Sequence, residues 1–149
     1  MATIKYSALT SQGAQLTTQL NALGSATMSA AGPTYDNTTN RDRWGMVEVV
    51  ISGTYTPTAG ASYTVYLVNS LDGTNFDDGA SSTDPGSHEI VATLAVKVAS
   101  SISPRATSTF PFPLPPTKFK FVLKNGSGAT LPANNSSVLN LYTFNETVV

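Results

Sequence analysis

The sequence predicts an all-β protein, specifically an antiparallel β-sandwich or jelly roll of about seven or eight strands. Several stretches alternate apolar and polar residues with the two-residue period of a strand. Turn dipeptides rich in Gly, Pro, Asn and Asp separate these stretches, and no long stretch has the apolar period of a helix. The length of 149 residues suits one domain with a hydrophobic core.

The first 23 residues are the exception, because they show neither period clearly. Ala, Leu and Gln would allow a short helix over residues 15–23, but Gly13 and the pair Thr17 and Thr18 disfavour it. We therefore predict an N-terminal arm over residues 1–23 and a β-sandwich domain over residues 24–149. A frayed tail is the alternative for the first segment.

The first half of the domain contains one weak and two strong strand patterns. Residues 25–30 alternate weakly and are a candidate first strand. Residues 47–55 and residues 63–70 alternate clearly, so each is predicted to be a strand. The segment between them contains Pro and Gly, which predicts that the two strands form a hairpin.

The second half continues the pattern. Residues 90–98, 118–124 and 137–147 are predicted strands, whereas residues 105–116 are extended but broken by prolines and suit an edge strand or a loop. The inward-facing positions predicted across the domain are Val47, Val49, Ile51, Val65, Leu67, Ile90, Leu94, Val96, Phe119, Phe121 and Leu123.

Composition excludes several classes of function. The formal net charge is −1 and only 11% of residues are charged, so we expect no binding of nucleic acid through phosphate neutralisation. No apolar run is long enough to cross a bilayer, so we expect no membrane partner. Cysteine is absent, which excludes disulfides and thiolate sites. A net charge near zero favours association with other proteins.

The acidic stretch SLDGTNFDDG, residues 70–79, raises the question of a metal or catalytic site. Clustered carboxylates suit calcium, but the alternating ligand spacing of an EF-hand is missing. Asp72-Gly73 is a strong turn dipeptide, and Asn75 and Asp77 suit Asx turns. We therefore predict a surface turn, with structural calcium and acid–base catalysis as the alternatives.

An enzyme is not expected. His88 is the only histidine, and it borders a predicted strand where a rim residue is the common case. No nucleophile elbow, P-loop or dinucleotide fingerprint is present. We accordingly predict no catalytic residues, no cofactor and no bound metal.

Three further stretches are candidates for contacts. NRDRWG, residues 40–45, holds Arg41, Arg43 and the one tryptophan, Trp44, and Arg and Trp are frequent in interface hot spots. A core tryptophan with two surface arginines is the alternative. The lysines of TKFKFVLKN, residues 117–125, form either a solvated face or a patch for an acidic partner. TFPFPLPP, residues 109–116, is either a rigid crossing between sheets or a polyproline ligand.

The ordered features of residues 24–147 resemble the head decoration, or cement, proteins of tailed bacteriophages. The resemblance rests on Asp36-Asn37, on the stretch GTYTPTAGASYTVYLVNSLDGTNF, and on PPTKFKF followed by KNGSG. It implies a jelly-roll-like virion structural protein, usually a homotrimer, on the outer surface of the capsid. Such proteins bridge neighbouring major capsid protein subunits, and the family has no catalytic residues to carry over.

Contacts in this family often involve an N-terminal arm, so the resemblance implies a role for the apolar arm residues Ile4, Tyr6 and Leu9. Together with Arg41, Arg43 and Trp44, these are the predicted partner-binding residues. The alternative function is a tail- or fibre-associated sandwich that binds carbohydrate or a host receptor, with Tyr66 or Phe76 stacking on sugars. A sandwich hydrolase is disfavoured by the single histidine and the scattered acids.

Overall fold

A computed structural model of the chain describes residues 3–77, 84–86, 89–96 and 104–148. The described residues contain eleven strands and two short helical turns. In chain order these are β1 (Ile4–Tyr6), β2 (Thr10–Leu16), a 3-10 turn (Thr18–Leu20), β3 (Tyr35–Asp36), α1 (Asn37–Asn40), β4 (Trp44–Val50), β5 (Ser62–Ser70), β6 (Ile90–Ala95), β7 (Arg105–Thr107), β8 (Phe112–Pro113), β9 (Lys118–Gly126), β10 (Val138–Phe144) and β11 (Glu146–Val148).

The strands form two sheets and a separate two-stranded ribbon, with antiparallel pairing throughout. The first sheet has the order β2-β10-β4-β7, with β8 paired to one end of β4. The second sheet has the order β3-β9-β5-β6, and β1 and β11 form the ribbon. The predicted all-β class and antiparallel sandwich or jelly-roll character are confirmed. No helix of the described residues is long and apolar enough to cross a membrane.

The core lies between the inner faces of the two sheets. Val47 and Val49 of the first sheet belong to the same buried cluster as Phe119 and Phe121 of the second. The rings of Phe119 and Phe121 meet edge to face, with centroids 5.5 Å apart. The predicted alternation is confirmed at all described inward positions except Ile90, which is 40% exposed.

Part of the segment predicted to be an N-terminal arm, residues 1–23, pairs with the first sheet. Thr10–Leu16 pairs with β10 as an edge strand of the first sheet, and Leu16 and Leu20 are fully buried in the core. Gly13 adopts a positive φ of 77°, a conformation that glycine reaches without strain, and the pairing register shifts around it. Of the described N-terminal residues, those before Thr10 therefore lie outside the two sheets of the sandwich.

The predicted hairpin between the two strong strand patterns of the first half is wrong. β4 belongs to the first sheet and β5 to the second, so the connection crosses between sheets. The strand ends at Val50, and Tyr55 in the crossing is still buried. Residues 25–30 form no strand and make one bridge, from Met28 to Lys124.

The segment over residues 28–32 covers part of the outer face of the second sheet. Met28 and Ala31 pack with Phe76 against a small buried cluster of Tyr66, Val68 and Val122. Tyr66 is only 3% exposed, so the proposal that it stacks on sugars is wrong.

The proline-rich stretch crosses from β7 in the first sheet to β9 in the second, which agrees with its interpretation as a crossing between sheets. Phe112 and Leu114 of this stretch are buried.

The position of Leu16 gives a direct stability test of the N-terminal strand. Replacing this fully buried side chain in Leu16→Ala should lower the free energy of unfolding by about 2–5 kcal/mol, because a cavity forms in the core. The matched control is Leu9→Ala, at a leucine that is 57% exposed, which should change it by no more than about 0.5 kcal/mol. Urea denaturation at neutral pH measures both values. Equal, small effects of the two substitutions would show that β2 is not part of the core.

Candidate functional site

The two ends of the chain meet in the ribbon. Ile4 lies opposite Val148 and Tyr6 lies opposite Glu146, in antiparallel register. The backbone N–H of Ser7 donates to the carbonyl of Asn145 at 2.8 Å, and the ribbon thereby runs on from the β2–β10 pair. A two-stranded ribbon with no further strand is only marginally stable by itself.

The ribbon and its surroundings expose large apolar side chains. Ile4, Tyr6 and Val148 are 60%, 66% and 72% exposed on the ribbon, and Leu9 follows it at 57%. Phe110, 78% exposed, lies beside Pro111, a residue of the groove described next. Large exposed apolar patches on proteins are often interaction sites, and these side chains are candidates for one.

An apolar groove of about 500 Å³ adjoins the ribbon. Its apolar lining consists of Tyr6, Leu9, Trp44, Met46, Pro111 and Phe144. Trp44 on β4 lies opposite Phe144 on β10 in the register. Successive side chains of a strand point to opposite faces, and Val47, three positions along β4, faces the core. Trp44 and Phe144 therefore lie on the outer face of the sheet. The ring of Tyr6 meets that of Phe144 edge to face, with centroids 5.7 Å apart. We call this surface the terminal groove.

The rim of the terminal groove is polar and fixed by hydrogen bonds. The indole Nε1 of Trp44 donates to Oε1 of Glu146 at 3.1 Å. The other carboxylate oxygen of Glu146 lies 3.8 Å from the Nη1 of Arg43, and the backbone N–H of Arg43 donates to Oδ1 of Asn145 at 2.8 Å. The C-terminal strand therefore holds the orientation of the tryptophan.

The loop before Trp44 is rigidly tied to the sandwich. The buried Asn37 side chain donates to the carbonyl oxygens of Asp42 and Pro115, each at 2.9 Å. Its Oδ1 accepts the backbone N–H of Asp42 at 2.8 Å, and α1 ends at Arg41 with a left-handed φ of 52°. This folding explains why Arg41 and Arg43 point outwards and are exposed.

The side chain of Asp42 is held on two sides. Its Oδ2 accepts from the Tyr35 hydroxyl at 2.9 Å, and its Oδ1 accepts from Nδ2 of Asn145 at 3.1 Å. Burial, with a smaller contribution from the Asp42 carboxylate, raises the pKa of Tyr35 to about 12. The phenol therefore stays protonated and remains a donor to Asp42 over the physiological pH range.

A second groove, of about 480 Å³, lies on the other side of Trp44. Arg41, Arg43 and Trp44 line it together with Pro113, Leu114, Pro116 and Asp42. Trp44 lines both grooves, which therefore adjoin at this residue. We call the second one the arginine groove.

The structure brings most of the predicted contact residues to one end of the sandwich. Tyr6, Leu9 and Trp44 line the terminal groove, and Arg41 and Arg43 line the adjoining arginine groove. Ile4 lies on the ribbon, two residues from Tyr6 on the same strand. Sequence reasoning missed Met46, Pro111 and Phe144. For Met46 and Phe144 the available signal was an apolar residue at an outward-facing position of a strand, whereas Pro111 carries no such signal.

The acidic stretch forms a turn around Asp72. Oδ1 of Asp72 accepts the backbone N–H groups of Thr74 and Asn75 at 2.8 and 2.7 Å, and Oδ2 accepts from the Asn75 side chain at 2.7 Å. These hydrogen bonds, those from the backbone first, hold the pKa of Asp72 well below its usual range. Asp78 and His88 lie outside the described residues. Within the described part of the chain, no three acidic or histidine side chains come together as a metal site.

The lysines of β9 all have partners in the structure. Lys118 lies 3.6 Å from Asp36, and Lys124 lies 2.9 Å from Asp84. The ammonium group of Lys120 sits over the ring of Phe76, 4.0 Å from its centroid. Phe76 is thus covered by the ammonium group and also packs against the cluster of Tyr66, Val68 and Val122.

A buried carboxylate lies farther along the outer face of the first sheet. Glu48, only 9% exposed, accepts from Arg105 at 3.0 Å, from the Tyr142 hydroxyl at 3.3 Å and from Asn140 at 3.4 Å. Its charge is balanced by the guanidinium group of Arg105, which is what a buried carboxylate requires.

The chain matches no protein-family model, and no curated protein matches it in sequence. Among solved structures it is similar to one described as "Structure of infectious bursal disease virus Gx strain", with a TM-score of 0.29 and 11% sequence identity. That similarity covers 99% of this chain and 31% of the viral chain, so this chain spans about a third of that protein's length. A likeness at this level transfers no function.

The hydrogen bonds of Asp72 predict a pH-dependent contribution to stability. Because the pKa of Asp72 is lowered by folding, the carboxylate stabilises the fold fully above its unfolded pKa of about 3.9, and this contribution is lost as the pH falls towards the folded pKa. Asp72→Ala should therefore lower the melting temperature at pH 7, and the difference from the unmodified protein should shrink below about pH 4.

The matched control is Asp77→Ala, since the Asp77 carboxylate accepts no hydrogen bond from the described residues. It should leave the melting temperature nearly unchanged at both pH values. Equal losses for the two variants at pH 7, or a loss for Asp72→Ala that is the same at pH 7 and pH 3, would contradict this account of the turn.

Proposed function

We propose that this chain is a structural protein of a bacteriophage virion. In this proposal it attaches to the outer surface of the capsid as a homotrimer and stabilises the shell by bridging neighbouring major capsid protein subunits. It binds no nucleic acid or membrane, needs no cofactor or metal, and performs no chemistry. The observation that carries the proposal is the exposed apolar surface formed by the ribbon and the terminal groove.

The distribution of exposed apolar residues supports attachment through this end. Five of the seven large hydrophobic side chains that are exposed in the described residues lie on the ribbon or next to the terminal groove: Ile4, Tyr6, Leu9, Phe110 and Val148. Burying them against a partner would remove apolar area from water, at roughly 25 cal/mol per Å². The same contact would add packing to a ribbon that is marginal alone.

Attachment to an assembled shell would stabilise that shell by mass action. A protein that binds only the assembled state stabilises it by RT ln(1 + [L]/Kd). A trimer would engage several sites at once, and the effective concentration of the second and third contacts would turn a modest single contact into firm attachment. The low net charge of −1 is compatible with such self-association.

The second candidate function is a tail- or fibre-associated sandwich that binds carbohydrate or a host receptor. The aromatic rings of Tyr6 and Trp44 in the terminal groove favour it, since exposed aromatic faces can stack on sugars. Tyr66 and Phe76, the aromatic residues first considered for this role, are buried or covered.

Labelling of virus particles tests the proposal. Purified full-length protein is mixed with heads that lack it, and electron microscopy locates the added density. We expect density on the outer surface of the head at local threefold positions. Density confined to the tail, or binding to cell-surface polysaccharide with none to heads, would favour the second function instead.

Two matched variants test the attachment surface in the same assay. Leu9→Ser combined with Tyr6→Ser should weaken binding to heads about tenfold or more, since the loss of two apolar contacts exceeds about 1.4 kcal/mol. Leu71→Ser alters a leucine that is 87% exposed in another part of the molecule and should bind as the unmodified protein does. Equal binding by both variants would exclude the ribbon as the attachment surface.

A further inference from the structure

The terminal groove and the arginine groove together form one site with two chemically different halves. One half is lined mostly by aromatic and aliphatic side chains, with Ser7 and Glu146 at its rim, and the other is lined by Arg41 and Arg43 together with Asp42, Leu114 and two prolines. Trp44 lines both halves, so a ligand long enough to pass over its ring contacts both. The complementary ligand is apolar at one end and anionic at the other.

The second half is cationic because its arginine side chains are exposed while the nearby carboxylates are engaged by hydrogen bonds. The nearby carboxylates, Asp42 and Glu146, accept hydrogen bonds from Tyr35, Asn145 and Trp44, which turn them towards the protein. Arg43 is paired with Glu146 only at 3.8 Å and its side chain is 66% exposed. Arg41 makes no ion pair among the described residues and is exposed. Lys and Arg number only 8 in the chain, so two within three positions are a local concentration.

We infer that this site binds an extended peptide segment in which apolar side chains are followed by one or more carboxylates. The apolar side chains enter the terminal groove, and the carboxylates reach Arg41 and Arg43, whose planar guanidinium groups bind carboxylates in a bidentate manner. The ribbon adds a second recognition element. β1 and β11 pair only with each other among the described strands, so their outer backbone edges are open to strand addition.

The source of the peptide follows from the proposed function, on which this inference rests. The segment is then an extended, acidic and apolar part of a neighbouring virion subunit. The binding chemistry itself is a property of the isolated protein and can be measured without any particle.

The single tryptophan of the chain makes the measurement site-specific, because all indole fluorescence comes from Trp44. The probe is a synthetic peptide of about ten residues, with alternating Leu and Thr followed by two Asp. Two companion peptides replace the Asp residues by Lys, or the Leu residues by Ser. Titration of the full-length protein with the Leu–Asp peptide should shift the emission to shorter wavelength and protect Trp44 from quenching by acrylamide.

Affinities should rank according to the two halves of the site. The Leu–Asp peptide should bind about tenfold or more tightly than either companion at low salt, since each loses one set of contacts. Its advantage over the Lys peptide should diminish at high salt, because exposed charges are screened. Equal binding of the Asp and Lys peptides, or no spectral change up to about 1 mM of any peptide, would overturn the inference.

Charge variants give the control. Arg41→Glu combined with Arg43→Glu should reverse the preference in favour of the Lys peptide. The matched pair Lys118→Glu and Lys120→Glu makes the same change in net charge on the second sheet and should leave the preference for Asp intact. A reversal in both double variants would show that net charge alone, and not this site, decides the preference.

The outcome separates this inference from the proposed function. If the protein decorates heads but does not discriminate among the peptides, only the inference fails. If it binds the Leu–Asp peptide at Trp44 but attaches to no head, the site stands and the capsid role fails.

Discussion

The double pairing of β10 is the interaction on which the rest of the structure depends. β10 pairs with β4 over seven residue pairs on one side and with β2 on the other, so it lies inside the first sheet. Its inward residues Leu139 and Leu141 are fully buried in the core. Because β2 comes from the N-terminus, the same strand also joins the two ends of the chain. The ribbon continues this pairing past the sheet, and Tyr6, Phe144 and Glu146 from these segments line the terminal groove.

The sequence was sufficient to predict the sandwich and most of its core, because buried strands carry their alternation locally. Phe119, Phe121 and Leu123 alternate with lysines and are buried as expected. Sheet membership is not a local property. The adjacent strands β4 and β5 look like a hairpin in sequence, yet each has better partners far along the chain, at β10 and β9. A turn signal shows that the chain bends but not which strands then pair.

The N-terminal strand β2 was not predicted from the sequence, also because its packing partners are far away in the chain. Residues 10–16 are mostly polar and exposed, since β2 is an edge strand, and only its last two residues, Gln15 and Leu16, are buried. Gly32 fits closely against this strand, where an added Cβ atom would lie 2.2 Å from the carbonyl oxygen of Gln15. A contact of this kind produces no alternation of apolar and polar residues in the sequence. β2 is therefore specified by long-range packing and not by its own hydrophobic pattern.

The candidate site was predictable in its residue types and not in its shape. The family resemblance suggested contacts by apolar residues of the N-terminal arm, and Arg beside Trp suggested a contact patch. The fold brings Tyr6, Leu9 and Trp44 around one groove. The alternation of β10 puts Phe144 on an outward face, but its place beside Tyr6 depends on the register of that strand and could not be foreseen. The surface is therefore a consequence of the paired termini, and the contact role that we propose for it depends on that pairing.

Amide hydrogen exchange along the N-terminal segment tests this central claim most directly. If β2 is part of the sandwich and β1 is a contact ribbon, amides of Thr10–Leu16 that bond to β10 should exchange as slowly as those of β9. Amides of Ile4–Tyr6 should exchange much faster, because a two-stranded ribbon opens locally. Uniformly fast exchange from residue 4 to residue 16 would contradict the account, since the N-terminal segment would then be a single detached arm.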